Sequence, residues 1–343
     1  MEDGRFEGLR VTEQLEKWEG RALDVRSSRP LGFARIDSKL YRNGLQPGLL
    51  TILAGRTHTR KTSTMLSIIA RMLRDEVSVG LVGLDEPTPA YVARLCSALS
   101  VTDVGVGDDG HAAEWLEEHW NQPEAEGARE RYKTYATRLW LSHGARPTLN
   151  TLTDWLSIAP VRPEVVFIDY LQLLARGKYD GNDNTRVPRL AEELSVWAGV
   201  NEVAVVALHQ VGRESKTTGT TYHGDTPLQL ESLRSGGEEA ADIVLGTYRP
   251  ALSPLGNMEM EEAEADLGKD FSEERWLAAV ERCKRYEQST FLQLLKNRPS
   301  QKGLLMRGVE LFAPGHSMFQ RERDDEDRDD DAIIYDMEAK RGS

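Results

Sequence analysis

Two groups of residues in this chain have the types and spacing to do chemistry on a polyphosphate. The first is Gly55-Arg56-Thr57-His58-Thr59-Arg60-Lys61-Thr62, which follows an apolar run, Leu49 to Ala54, and opens a stretch with apolar residues at helical spacing, Thr62 to Arg74. A turn in that position aims backbone N–H groups and the positive end of a helix at an anion. Lys61 can reach terminal phosphates, and the Thr62 hydroxyl suits a magnesium ion. Gly55, Thr57, His58, Thr59, Arg60, Lys61, Thr62 and Ser63 are the expected nucleotide contacts, with ATP and Mg2+ as the ligands. The pattern departs from GxxxxGK[ST] at one place, where Arg60 stands for the second glycine. The second group is Val165-Val166-Phe167-Ile168-Asp169, an apolar strand ending in an acid. At the carboxyl end of a parallel strand, Asp169 would face the ligand crevice and hold the metal with Thr62.

The elements that must position these residues alternate in kind. Apolar strands are expected at Leu49 to Ala54, Val77 to Leu84, Trp140-Leu141, Val165 to Ile168 and Val203 to Leu208. Helices are expected at Thr62 to Arg74, Ala90 to Leu99, Thr148 to Ile158 and Arg189 to Ala198. Continuously apolar strands separated by helices predict an α/β fold with a mostly parallel sheet covered on both faces. Residues 251–289 interrupt this rhythm as an acidic, helical insertion, and Phe291 to Leu295 and Leu304 to Phe312 read as closing strands. Residues 1–30 read as a small amphipathic helix, bearing Leu9, Val11, Leu15 and Trp18, and a polar connector. Such a helix needs a partner surface. Residues 31–319 form the expected core domain, and 320–343 a charged, disordered tail.

Composition narrows the classes. Hydrophobic residues are 39% of the 343, enough for a sizeable core, yet no apolar run has membrane-spanning length. The acidic opening Met1-Glu2-Asp3-Gly4-Arg5 has no secretory character, so a cytoplasmic address is expected. Cys96 and Cys283 are expected to be reduced thiols, and the seven histidines lack metal-ligand spacing with them. The net charge of −13 argues against a broadly basic surface. Much of that acid lies in Glu259 to Asp270 and Asp324 to Asp331, which leaves room for a narrow basic channel.

Further segments resemble the motor domain of DnaB-type replicative helicases. Gly44-Leu45-Gln46-Pro47-Gly48 is similar to the entry into that family's RecA-like core. Ile168-Asp169-Tyr170-Leu171-Gln172-Leu173-Leu174 resembles its second magnesium motif, and Ala207-Leu208-His209-Gln210-Val211-Gly212-Arg213 resembles the strand whose Gln senses the γ-phosphate and the state of bound DNA. Leu233-Arg234-Ser235-Gly236-Gly237-Glu238-Glu239-Ala240-Ala241-Asp242 is similar to the segment after a DNA-contacting loop, and Lys296-Asn297-Arg298 to the Lys-x-Arg inserted into a neighbour's ATP site. The resemblance covers about residues 31 to 319. It implies a RecA-like P-loop ATPase acting as a DNA helicase in replication.

The resemblance also implies roles. Its catalytic acid falls on Asp85, with Glu86 adjacent, so either could orient or deprotonate the attacking water; the pair could instead cap the turn before Pro87. Gln210 would detect the γ-phosphate. Lys296 and Arg298 would act in trans, which makes the site a property of a homo-oligomer, a hexameric ring, with the N-terminal helix docked on a neighbour. Single-stranded DNA would be tracked by the loop Lys178 to Arg189, carrying Lys178, Arg186 and Arg189, and by Arg213, Lys216 and Arg234 of the next. A primase or loader is a further implied partner. Arg60 is expected to take ordinary right-handed angles, gripping phosphate or reaching across the subunit boundary. The folded N-terminal collar of the family has no counterpart, and a compact form of this kind would suit a bacteriophage or another mobile element. Arg60 and the missing collar also suit an ATP-binding RecA-fold adaptor or helicase loader. A filament-forming recombinase is disfavoured by Asp169-Tyr170-Leu171-Gln172-Leu173.

Overall fold

Six short runs of aliphatic residues build the parallel half of one sheet: β1 Leu50–Gly55, β2 Val79–Gly83, β3 Leu139–Leu141, β4 Val165–Asp169, β5 Ala204–Gln210 and β6 Ile243–Tyr248. Three further strands, β7 Ser289–Asn297, β8 Leu305–Phe312 and β9 Phe319–Gln320, extend it antiparallel beyond β6. The strand order is β3-β2-β4-β5-β1-β6-β7-β8-β9. This computed structural model describes residues 28–100, 113–142, 147–174, 183–212, 223–233, 237–312 and 319–320.

Helices cover both faces, which is why β1, β4 and β6 are buried along their whole length. On one side lie α1 Ala34–Asp37, α2 Lys61–Arg74 and α3 Thr88–Ser100, whose Met65, Leu66, Ile69, Leu73, Leu95 and Leu99 pack with Leu53, Leu81 and Phe167. Against α3 rest α4 Ala113–His119 and α5 Glu126–Ala136, through Leu116, Ala125, Ala128 and Cys96. On the other side α6 Leu149–Ile158 and α7 Asp183–Asn201 bring Leu152, Leu156, Leu190, Leu194 and Trp197 onto Ile52, Val166, Ile168 and Val205. Thr148 caps α6 with a reciprocal pair of bonds to Thr151.

The crossover through α2 carries the chain from β1 past β5 and β4 to β2. It leaves the carboxyl ends of β1, β5, β4 and β2 in one row: Gly55 is beside Gln210 and Thr247, and Gly83 is beside Asp169. A crevice at such a switch in strand order is where open α/β sheets take ligands.

The expected parallel, two-sided sheet is what the chain forms. Several features differ from the sequence reading, among them the short helix Ala34–Asp37 and the strand Phe319–Gln320. Helix α7 starts at Asp183, upstream of the expected Arg189, with Pro188 inside it. The proline forfeits a backbone bond near the start of a long helix, and the burial of Val187 and Leu190 on either side offsets that loss. Helices α4 and α5 were not expected, since α5 is largely polar and rests on a small satellite cluster. Strand β6 is a further addition, an interior strand paired on both edges. Within residues 251–289 the acidic segment forms α8 Met260–Leu267 and α9 Glu273–Arg285. Ser272 caps α9, acids fill its first turn and Arg282, Lys284 and Arg285 its last, as the helix dipole favours.

Before β1, the chain is pinned by one buried carboxylate. Asp37 accepts the backbone N–H groups of Leu31, Gly32 and Phe33 at 2.8, 2.9 and 3.0 Å. Burial pushes its carboxyl up to about 6, against the opposing pull of those three bonds and of Arg71. Asp37→Ala would leave these donors without a partner, an expected loss of about 2–4 kcal/mol in stability. Urea unfolding measures it, and a loss below about 0.5 kcal/mol would show that the carboxylate does not hold this segment.

Candidate active site

The phosphate-loop segment is backed on several sides by packing that glycine and threonine make possible. A Cβ at Gly55 would lie 2.2 Å from Thr247 Oγ1, so only glycine fits there. Thr59 is buried; its hydroxyl donates to Arg56 O (2.8 Å) and pairs with Thr247 Oγ1 (2.8 Å), while Thr290 Oγ1 donates to Thr59 O (3.2 Å). Gly224, at φ +88, packs against Arg56 and Thr59. Thr57 and His58 are exposed at the tip of the turn. Lys61 folds back over it and donates to Arg56 O at 2.7 Å. Burial lowers the Lys61 pKa to about 8, with Asp169 and Asp85 holding it up.

At the first turn of α2, Thr62 Oγ1 donates to Asp169 Oδ2 at 3.0 Å, joining two residues far apart in sequence. Tyr91 OH donates to the same oxygen at 3.1 Å. Asp169 is almost fully buried, and burial raises its pKa to about 6 despite those two bonds; Asp85 and Glu86 push it the same way. A buried carboxylate beside a hydroxyl, with two more acids close by, is an all-oxygen, electronegative donor set suited to a hard cation such as Mg2+. Thr62 and Asp169 are the residues that would hold it.

The tandem acids after β2 occupy different surroundings. Glu86 Oε1 pairs with Arg94 Nη1 at 2.6 Å, and Arg94 Nη2 donates to Ser63 Oγ at 2.9 Å. Ser63 is thus turned toward α3. Asp85 is exposed and, among the described residues, its carboxylate has no hydrogen-bond partner; burial and Glu86 raise its pKa, while Lys61 and Arg94 lower it. Across the crevice, Gln210 Nε2 donates to Thr57 Oγ1 at 2.7 Å. Lys61, Thr62, Asp85, Asp169 and Gln210 therefore gather around one turn.

Lys296 and Arg298 lie elsewhere. Lys296 is paired with Val244, at the amino end of β6, whereas the phosphate loop adjoins Thr247. Three residue steps along β6 separate them, roughly 10 Å. Lys296 Nζ donates to Glu238 O (2.6 Å), and Arg298 to Glu239 O (2.9 Å), with Asp242 at 3.5 Å. Neither approaches the phosphate loop of its own chain.

A family model described as the DnaB-like helicase C terminal domain matches residues 30–274. The chain belongs to the DnaB-like helicase C-terminal domain family. It is 26% identical over 226 residues to the replicative DNA helicase DnaB of Helicobacter pylori strain J99, covering 64% of this chain and 43% of that protein. A probable plasmid replicative DNA helicase of Chlamydia psittaci is 25% identical over 232 residues, covering 66% and 48%. The chain thus spans about half the length of the curated relatives it matches. Among solved structures, an isolated ATPase domain aligns with a TM-score of 0.66 at 18% identity, over 92% of this chain and 100% of that one. A DnaB-like replicative helicase studied with primase aligns at 0.63 and 17%, over 91% and 66%. These likenesses show the RecA-like fold.

Two expectations from the sequence are corrected. Arg60 does not take right-handed angles: at φ 63 and ψ 32 it is left-handed, the region glycine enters freely. Its guanidinium neither grips the phosphate turn nor points to a neighbour, since Nη1 donates to Gln288 O of its own chain at 2.7 Å. Arg249 Nη2 donates to the adjacent Glu287 O at 2.5 Å, and burial together with Arg249 lowers the Arg60 pKa to about 10. Arg186 is the second correction. It lies in α7, is buried, and donates to Gln172 O (2.5 Å) and Leu174 O (3.4 Å), so it ties the chain after β4 and does not line a channel. Arg189, also helical, stays at the surface, 3.5 Å from Glu193. Lys178, Arg213, Lys216, Arg234 and the N-terminal helix lie outside the described residues.

Tyr91 and Arg94 were not anticipated. The signal was present: they stand three apart, hence on one face of the helix that directly follows Asp85-Glu86. Gln172 and Thr247 had no such signal, because their partners are distant in sequence.

The Arg60 geometry sets a clear order of stability. Arg60→Gly removes a left-handed penalty of about 1 kcal/mol along with one hydrogen bond of similar size, so it should be nearly neutral. Arg60→Ala keeps the strain and loses the bond, and should be less stable by about 1 kcal/mol or more. Thermal melts of the two variants decide it; an alanine variant as stable as the glycine one would contradict the left-handed assignment.

Proposed function

We propose that this chain is the ATP-hydrolysing motor of a replicative DNA helicase that translocates on single-stranded DNA as a hexameric ring. The observation that carries the reading is the 3.0 Å contact of Thr62 with Asp169, beside a lysine folded over the phosphate turn. Lys61 releases Arg56 O to meet the β- and γ-phosphates, and its depressed pKa rises again beside them. Magnesium, when bound, supplies neutralisation of charge on the phosphate oxygens. Thr62 and Asp169 would hold it. Asp85, uncommitted to any described side chain, orients the attacking water, while Glu86 is held by Arg94. Gln210 leaves Thr57 for the γ-phosphate.

The position of Lys296 and Arg298 at the strand ends opposite the crevice supports action in trans, on the site of a neighbouring copy. Arg189, with Lys178, Arg213, Lys216 and Arg234, is proposed to track the DNA backbone by charge. The motor domain spans 31–319, with residues 251–289 as its insertion, and works in the cytoplasm with a primase or loader. The left-handed Arg60 favours one second reading, a nucleotide-binding adaptor or helicase loader without processive unwinding.

Lys61→Ala and Asp169→Asn should each lower DNA-stimulated ATP hydrolysis by at least about a hundredfold while the melting transition persists. Turnover at wild-type level in either variant sinks the motor reading. A wild-type chain that binds ATP without hydrolysing it gives the adaptor reading the lead.

The trans assignment has its own test. Arg298→Ala alone should be strongly impaired, on the order of a thousandfold. Rings assembled from Arg298→Ala and Lys61→Ala chains together should regain hydrolysis at interfaces that combine the intact halves. If Arg298→Ala keeps full activity, the residue is not a finger.

A further inference from the structure

Strand β5 outlasts its neighbour. Pairing with β4 ends at Ile168 beside Ala207, yet β5 runs on to Gln210. On its other side the chain still pairs with β1, where Val211 N–H donates to Gly55 O at 3.0 Å. The peptide groups of Gln210 that face β4 would be left without a strand. Gln172, three residues beyond Asp169, supplies the missing partner with its side chain. Its Nε2 donates to Gln210 O at 2.8 Å, and its Oε1 accepts the Gln210 N–H at 3.4 Å. A carboxamide carries a donor and an acceptor side by side, as a peptide group does.

Gln172 is itself held from behind. Arg186, 5% exposed, donates to Gln172 O and Leu174 O, the two carbonyls that frame this turn. The bonds therefore form one line: Arg186 to the Gln172 backbone, the Gln172 amide to the Gln210 backbone, and the Gln210 amide to Thr57 on the phosphate loop. A strand end with only one edge paired frays, and a shift of about an ångström there would carry the Gln210 amide off the phosphates.

We propose that Gln172, braced by Arg186, is a positioning residue that sets the Gln210 backbone and so the placement of its amide at the phosphate loop. This rests on the ATP-hydrolysis reading above. Gln172 touches no phosphate and acts only through Gln210. Gln172→Ala lowers kcat for ATP hydrolysis about tenfold, with KM for ATP changed by less than about threefold, because Lys61 and Thr62 are untouched. Gln172→Glu keeps the volume but sets an oxygen against Gln210 O, and is impaired at least as much.

The deciding measurement is a double-mutant cycle on kcat. In a Gln210→Ala background, adding Gln172→Ala costs less than about twofold, since the amide it positions is already gone. Multiplying losses in the double variant, or a wild-type kcat in Gln172→Ala, overturns the proposal. Should Gln172→Ala lose its melting transition, the isosteric Gln172→Glu takes its place in the same cycle with the same two outcomes. Arg186→Lys, which keeps the charge and one donor, falls between wild type and Gln172→Ala; wild-type KM and kcat in Arg186→Lys remove Arg186 from the line. A wild-type chain that hydrolyses no ATP overturns the motor reading and this proposal together. An active wild type with a multiplying double variant overturns this proposal alone.

Discussion

Asp169 is the residue about which the crevice is organised. It is a carboxylate placed at the end of an interior strand, nearly out of contact with water, where ionisation is disfavoured. Two hydroxyls, from Thr62 and Tyr91, donate to one of its oxygens, and each comes from a different helix on the same face of the sheet. The contact with Thr62 fixes the phosphate helix relative to β4, and the contact with Tyr91 fixes the helix that follows the tandem acids. Its backbone carbonyl accepts the N–H of Leu84 at 2.8 Å, so the turn before those acids is anchored by the same residue. A group this desolvated gains most from a bound cation, which replaces the hydration that burial removed.

The phosphate turn itself is stiffened from outside more than from within. Thr247 on β6, Thr290 on β7 and Gly224 all press on Thr59 or Gly55. The left-handed Arg60 belongs to this arrangement. Its side chain and that of Arg249 donate to consecutive carbonyls, Gln288 and Glu287, at the turn between α9 and β7. The acidic segment is thereby attached to the start of α2.

Charge is distributed in keeping with this geometry. Lys61 is opposed by Asp169 and Asp85 and crowded by Arg56, and Arg94 is paired with Glu86, so acids and bases are closely interleaved in the crevice. Lys296 and Arg298 sit together at the opposite strand ends, against the carbonyls of Glu238 and Glu239 and the carboxylate of Asp242.

The sequence by itself determined the class of the fold and which residues meet at the carboxyl ends of the parallel strands. Unbroken apolar strands alternating with helices mean a sheet buried on both faces, and the turn after one strand with the acid ending another mark the ligand edge, because strand direction fixes which end each residue occupies. Lys61, Thr62 and Asp169 are legible for that reason. What only the tertiary structure decided are matters of backbone angle and distant contact. Arg60 takes left-handed angles because its neighbours over-determine the turn, and no residue type announces that. Arg186 reads as a surface cation in a polar stretch, yet the helix begins early enough to bury it against two carbonyls. The division between Asp85 and Glu86 depends on Arg94, and the support of Gln210 on Gln172, both set by how separate elements pack. Periodicity carries the direction and burial of an element; it carries nothing about which side chain of a second element arrives opposite.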